Sequence, residues 1–102
     1  MSDVMKELRR RWQAFLNHPF PEGMAGLEVD GICVTTVDSF AAGCISTLFS
    51  SGSLDLERVI VLESCLTDLH RVLPSLSGEA ADYFSELASL ARLALREVKH
   101  GI

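Results

Sequence analysis

The sequence predicts an all-α fold, a four-helix antiparallel bundle, and three observations lead to this prediction. Apolar residues recur at helical spacing in four separate stretches. Prolines, glycines or short runs of small polar residues separate these stretches. The chain has 102 residues, 48% of them hydrophobic, so it can build one core but not two. We therefore expect a single helical domain over residues 1–102, with an irregular or short hairpin connection between its first and second helices.

The first helix is expected over residues 3–17. Its apolar residues form one narrow stripe with charged residues opposite, so one face of this helix should be exposed to water. The segment NHPFPEG should end the helix, because its prolines cannot continue the hydrogen-bond ladder. The predicted stripe consists of Met5, Leu8, Trp12, Phe15 and Leu16.

The connection to the second helix contains the segment GLEVDGICV. Apolar residues alternate along it on both sides of Asp30 and Gly31, and Asp-Gly is a favoured two-residue hairpin turn. An isolated hairpin, however, is only marginally stable in water. Two alternatives therefore stay open for residues 26–34, a short β-hairpin and a plain extended linker.

The second helix is expected to begin with Thr36 as its N-cap and to stop near Gly52. Residues 39–54 contain no charged side chain, although 23% of the whole chain is charged. One face of the helix is broadly apolar and consists of Phe40, Ala41, Cys44, Ile45, Leu48 and Phe49. The opposite face is small and uncharged and consists of Ser39, Gly43, Ser46, Thr47 and Ser50.

That small face is unusual for a helix exposed to water. Exposed faces ordinarily carry Lys and Glu, whereas small residues allow another backbone to come close. We therefore expect the second helix to be enclosed on both faces, either as the central helix of the monomer or by contact of its small face with another subunit.

The third and fourth helices follow from their end signals. The third is expected over residues 54–73, ahead of Pro74, and its apolar arc is wide enough to require neighbours on more than one side. Ser77 is the expected N-cap of the fourth helix, which should run to about Lys99, ahead of Gly101.

Charge is distributed unevenly along the chain, whose net charge is −5. Residues 19–90 hold eleven acidic side chains and two arginines, whereas the segments on either side are net positive. An acidic middle between basic ends does not favour nucleic acid as a partner. The run from Arg9 to Arg11 is expected to be a solvated or intersubunit face, with Glu7 supporting Arg11 at helical spacing.

No segment of the sequence predicts membrane attachment or secretion. The longest uncharged run is shorter than the about 20 residues that span a bilayer, and the N-terminus has no uncharged stretch typical of a secretory signal. We therefore expect no membrane partner and a cytoplasmic location.

The residues able to carry chemistry form no recognisable site. Cys33, Cys44 and Cys65 are odd in number and widely spaced, which predicts free thiols, with Cys44 and Cys65 buried. Glu63 shares a helical face with His70, but the Glu-x-x-His spacing of a di-iron bundle is absent. His18 and His100 fall in a loop and at the C-terminal tail. We therefore predict no metal, no cofactor and no catalytic residue.

Three functions stay open at this stage. The sequence favours a small non-enzymatic protein that acts through protein contacts and self-associates, most simply as a dimer. The predicted interface joins the small face of the second helix to apolar residues outside the core arcs and consists of Ser39, Gly43, Ser46, Thr47, Ser50, Leu56, Ile60 and Leu93.

The second alternative is a binding module that holds a small apolar ligand between helices. Its pocket would be lined by Trp12, Phe15, Phe40, Phe49 and Phe84. The third alternative is an enzyme without a recognisable signature in a single sequence, which would require ionisable residues clustered in a cleft.

Overall fold

Four α-helices and a two-stranded antiparallel sheet make up the computed structural model, which describes the backbone of residues 3–100 and the side chains of residues 3–98. The predicted all-α four-helix fold is confirmed, and Gly101, the predicted stop of the last helix, lies outside the described residues. The elements in chain order are α1 (Asp3–Leu16), β1 (Glu28–Val29), β2 (Ile32–Cys33), α2 (Val34–Ser51), α3 (Leu56–Val72), a 3₁₀ turn (Leu73–Ser75) and α4 (Gly78–His100).

The connection between α1 and α2 forms the hairpin, the first of the two alternatives. Strands β1 and β2 pair in an antiparallel register across Asp30 and Gly31. These two residues have φ angles of 54° and 78°, and the mirror-image turn that suits a two-residue hairpin needs positive φ at both positions. The hairpin packs Ile32 into the core, which supports a pairing that would be marginal in isolation.

Helix α2 begins three residues earlier than expected. The prediction of Thr36 as N-cap was wrong, because β2 runs directly into the helix and Cys33 occupies the capping position. The backbone N–H of Val34, the first helical residue, donates to the carbonyl of Leu27 at 3.0 Å. The end of the helix agrees with expectation, since Gly52 adopts the left-handed conformation typical of a helix stop.

Helix α3 is slightly shorter than the expected range 54–73. Its N-cap is Asp55, whose side chain accepts a hydrogen bond from the backbone N–H of Arg58 at 2.8 Å. The chain then tightens into the 3₁₀ turn that contains Pro74, so the α-helical ladder stops at Val72.

The hydrophobic core is shared by all four helices, and α4 packs against each of the other three. Two residues that were predicted to face the core are exposed. Leu16 is 60% exposed because it ends α1 at the edge of the apolar stripe. Phe40 is 57% exposed because it lies at the α3 edge of the α2 arc. The largest fully buried side chains are Phe84, Leu8, Ile45, Leu62, Leu69, Leu87, Leu90, Val34 and Val72.

Arg11 ties α1 to α4. Its guanidinium donates to the carboxylate of Glu86 and to the hydroxyl of Ser89. Glu7 pairs directly with Arg10 at 2.8 Å, so the support that it was expected to give Arg11 is a longer-range charge interaction and not an ion pair. Arg11 turns toward α4 because it adjoins the buried stripe of α1, whereas Glu7 and Arg10 lie on the exposed side.

A polar contact between half-buried side chains joins α2 to α4. The hydroxyl of Tyr83 donates a hydrogen bond to Asp38 Oδ1 at 2.8 Å. Burial raises the pKa of the Asp38 carboxyl above its ordinary value, and the bond from Tyr83 offsets part of that rise. Burial, reinforced by the bond to Asp38, also raises the pKa of Tyr83, so the hydroxyl stays protonated and keeps donating.

We expect Tyr83→Phe to lower the free energy of unfolding by about 1–3 kcal/mol at neutral pH, because the Asp38 carboxylate loses its donor. A raised folded-state pKa means that Asp38 contributes stability at low pH that is lost as the pH rises through that pKa. Removing the hydroxyl raises the pKa further, so the loss should grow from acidic to neutral pH. Urea unfolding across this pH range measures it, with the same substitution in an Asp38→Asn background as control. A loss that does not vary with pH would contradict the assignment.

Candidate interaction site

A cleft of about 340 Å³ separates the exposed edges of α2 and α3. Phe40, which is 57% exposed, is the large apolar side chain on its α2 side, and Val61 lies beside two charged residues on its α3 side. Leu56 and Ile60, which are 74% and 57% exposed, lie one turn apart on α3 outside this lining. The residues that line the cleft are Ser39, Phe40, Gly43, Cys44, Thr47, Glu57, Arg58 and Val61.

The small face of α2 adjoins this cleft, and the part of the chain that the structure describes leaves most of it exposed. A Cβ placed on Gly43 would meet no atom within 4 Å beyond its own helix backbone. Burial of this face inside the monomer was one of the two alternatives, and the structure does not show it. We use the name α2–α3 surface for Ser39, Phe40, Gly43, Ser46, Thr47, Ser50, Leu56 and Ile60.

The hydroxyl groups on the small face are partly satisfied by the helix itself. Thr47 donates to the carbonyl of Gly43 at 2.9 Å, and Ser50 donates to the carbonyl of Thr47 at 3.3 Å. Hydroxyl groups that bond back to their own helix compete less for external hydrogen bonds. This face is therefore less polar than its serine and threonine content implies.

Leu93, the remaining predicted interface residue, lies apart from the α2–α3 surface. It is half-buried and packs against the core. On α4 it follows Glu86 by seven residues and Ser89 by four, and both of those residues contact α1 through Arg11. Leu93 therefore shares the face of α4 that is directed toward α1.

The aromatic pocket expected for an apolar ligand does not form. Trp12 and Phe84 are buried in the core, Phe40 lies on the α2–α3 surface, and the Arg9 guanidinium covers the Phe49 ring at 4.9 Å. Two of the five expected residues line a cavity, and these are different cavities: Phe40 lines the cleft between α2 and α3, and Phe15 lines another.

That cavity is a second, larger cleft of about 600 Å³, which the sequence did not predict. It lies between the end of α1, the segment 18–22 and the first turns of α4. Phe15, Phe20 and Tyr83 line it together with several carboxylates. Its formation depends on how segment 18–22 folds back against α4, and no periodic pattern specifies that path.

The three cysteines are free thiols, and Cys44 and Cys65 are buried as predicted. The Cys44 thiol donates to the carbonyl of Arg58 at 3.6 Å, and burial raises its pKa. Burial also raises the pKa of Cys65, to about 11. Cys33 differs, because its thiol is half-buried at the start of α2 and hydrogen bonding from Thr36 lowers its pKa.

The histidines do not assemble a site among the described side chains. His70 lies 3.0 Å from an Arg92 nitrogen, which places it against a cation rather than a metal. His18 lines the larger cleft, and the side chain of His100 lies outside the described residues. No group of three or more metal-ligating side chains converges in the part of the chain that the structure describes.

Comparison with known proteins assigns no family to the chain: no family model, curated protein or solved structure matches it. No helix among the described residues combines the length and the apolar character needed to cross a bilayer. The geometry of the two clefts is therefore the basis for a functional proposal.

We expect one thiol to react rapidly with a disulfide reagent such as DTNB at pH 7, and two to react slowly. Cys33 should give the fast phase, because its pKa is lowered, while burial keeps Cys44 and Cys65 protonated and covered. The absorbance of the thiolate that the reagent releases follows both phases. Cys33→Ser should remove the fast phase and leave the slow one unchanged, and a fast phase that survives this substitution would contradict the burial of the other two.

Proposed function

We propose that the protein acts through protein–protein contacts and self-associates, most simply as a dimer, through the α2–α3 surface. The observation that supports this proposal is the exposure of Phe40, Leu56 and Ile60 beside an uncharged helix face. Exposed apolar groups of this kind mark interaction sites when they are contiguous. In this proposal the protein is not an enzyme and requires no cofactor.

The three large side chains contribute only part of the association energy. Fully burying a large apolar side chain is worth about 1.5–3 kcal/mol, so Phe40, Leu56 and Ile60 of both copies, which are 57–74% exposed in the monomer, contribute roughly 6–11 kcal/mol. Association itself costs about 4–15 kcal/mol in lost translational and rotational freedom. A stable contact therefore needs the close backbone approach that the small face around Gly43 permits, in addition to these three anchors.

The absence of charge on α2 favours a second copy of the same chain over an unrelated partner. In a two-fold dimer the same patch faces itself, so every charge on it would meet its own copy or come close to it. Residues 39–54 have no charge to repel. Arg58, at the edge of the cleft, is already neutralised by Asp55 at 2.8 Å. Self-association is therefore free of like-charge repulsion along α2, while Glu57, which lines the cleft from α3, must stay hydrated at the rim of the contact.

We expect the wild-type protein to have the mass of a dimer in light scattering, and Ser46→Glu and Ser50→Glu to yield folded species of half that mass. A carboxylate buried without a partner should weaken association by at least about 30-fold. Gly43→Glu should behave in the same way and remain folded, because the space around Gly43 is open in the monomer. Circular dichroism reports whether helix content is retained.

Ser85→Glu is the matched control, because Ser85 is an exposed serine on α4 outside both clefts. It should leave the mass of the protein unchanged. A wild-type protein that remains monomeric at high concentration would overturn self-association. Dimers that persist in all three variants would instead place the interface on a different surface.

A further inference from the structure

We propose that the larger cleft, between α1 and α4, binds a small organic cation, an ammonium group attached to an apolar or aromatic body. This proposal goes beyond self-association and concerns a different part of the molecule. The cleft has a volume of about 600 Å³, and small-molecule sites usually measure about 300–1,000 Å³. It is therefore large enough to enclose most of such a ligand.

The apolar part of the cleft is built from aromatic side chains that hold one another in place. The Phe15 and Tyr83 ring centroids lie 4.6 Å apart, and Phe20 meets Tyr83 edge-on at 5.6 Å. Tyr83 is held further by its hydrogen bond to Asp38, and Pro21, beside Phe20, is buried. These contacts preform the aromatic surface, so a ligand does not have to order it.

The polar part of the cleft is negatively charged. Four carboxylates line it, those of Glu22, Glu79, Asp82 and Glu86, beside the imidazole of His18. No lysine or arginine among the described side chains does so. The charge of Glu86 is neutralised by Arg11, which is not among the residues that line the cleft. The other three form no ion pair with any side chain that the structure describes. A cation is therefore attracted to this cleft and an anion is repelled.

The arrangement fits an organic cation better than a metal ion. A metal needs several ligands at about 2.0–2.6 Å from one point. Among the described residues no such group converges, in this cleft or elsewhere. An ammonium group needs only nearby negative charge, and its carbon substituents can lie against the faces of Phe and Tyr rings, where the cation is attracted by the ring electrons. The cleft meets these requirements, because its carboxylates lie beside its aromatic rings without converging on one point.

Three probes of one size and different charge test the proposal: phenethylammonium chloride, 2-phenylethanol and sodium phenylacetate. In nitrogen-15 NMR titrations of the full chain, phenethylammonium should bind saturably and shift the amide signals of Phe15, Phe20 and Tyr83. The neutral alcohol should bind about tenfold more weakly, because it retains the ring contacts and loses the charge interactions. Phenylacetate should bind more weakly still.

The carboxylates are tested by a double variant, Glu79→Gln with Asp82→Asn, at two exposed positions. Its affinity for phenethylammonium should fall by about threefold to tenfold, while its affinity for 2-phenylethanol stays the same. Glu57→Gln, in the cleft between α2 and α3, is the matched control and should change neither affinity. Circular dichroism verifies that each variant is folded.

Equal affinity for the cation and the alcohol would overturn the proposal, as would a cation preference that survives in the double variant. So would the absence of saturable shifts at the cleft. Ser46→Glu separates this proposal from self-association, because it should abolish the dimer and leave phenethylammonium binding unchanged. Each proposal can therefore fail without the other.

Discussion

Tyr83 is the side chain on which the arrangement of the other elements depends. From α4 it packs against Phe15 of α1 and Phe20 of the connecting segment, and its hydroxyl reaches Asp38 of α2. One residue thus sets the position of three other parts of the chain. The bond to Asp38 also fixes the rotation of α2 about its own axis. Phe40, two residues later and about 200° around the helix, must then face away from α4.

The two clefts follow from this single constraint in different ways. In the larger cleft, Tyr83 packs against Phe15 and Phe20 to form the aromatic part of the lining, and carboxylates of α4 form much of the acidic part. The smaller cleft exists because α2, rotated by its bond to α4, presents its small residues beside α3. The chain therefore separates an acidic cleft lined by aromatic rings from a cleft whose α2 side carries no charge.

Periodicity in the sequence was sufficient to predict the four helices, and the Asp-Gly pair was sufficient to raise the hairpin as an alternative. Periodicity was not sufficient to locate the start of α2. A strand that continues directly into a helix has no intervening loop residues to mark the boundary before Val34. The exposure of Phe40 was also missed, since a helical wheel shows which residues share a face but not how far a neighbouring helix covers it. The larger cleft was missed because it depends on the non-periodic segment 18–22.

The direct junction of the hairpin with α2 has a consequence for the order in which the chain folds. The bond from the Val34 N–H to the Leu27 carbonyl closes a loop of only a few residues, and it fixes the backbone at the first position of the helix. Starting a helix is the slow and unfavourable step, with a nucleation constant of about 10⁻³. The hairpin lowers this barrier at Val34, where the strand passes into the helix. Because the hairpin is marginal until Ile32 is packed, the packing of Ile32 and the start of α2 are coupled, and the helix can propagate from its N-terminus.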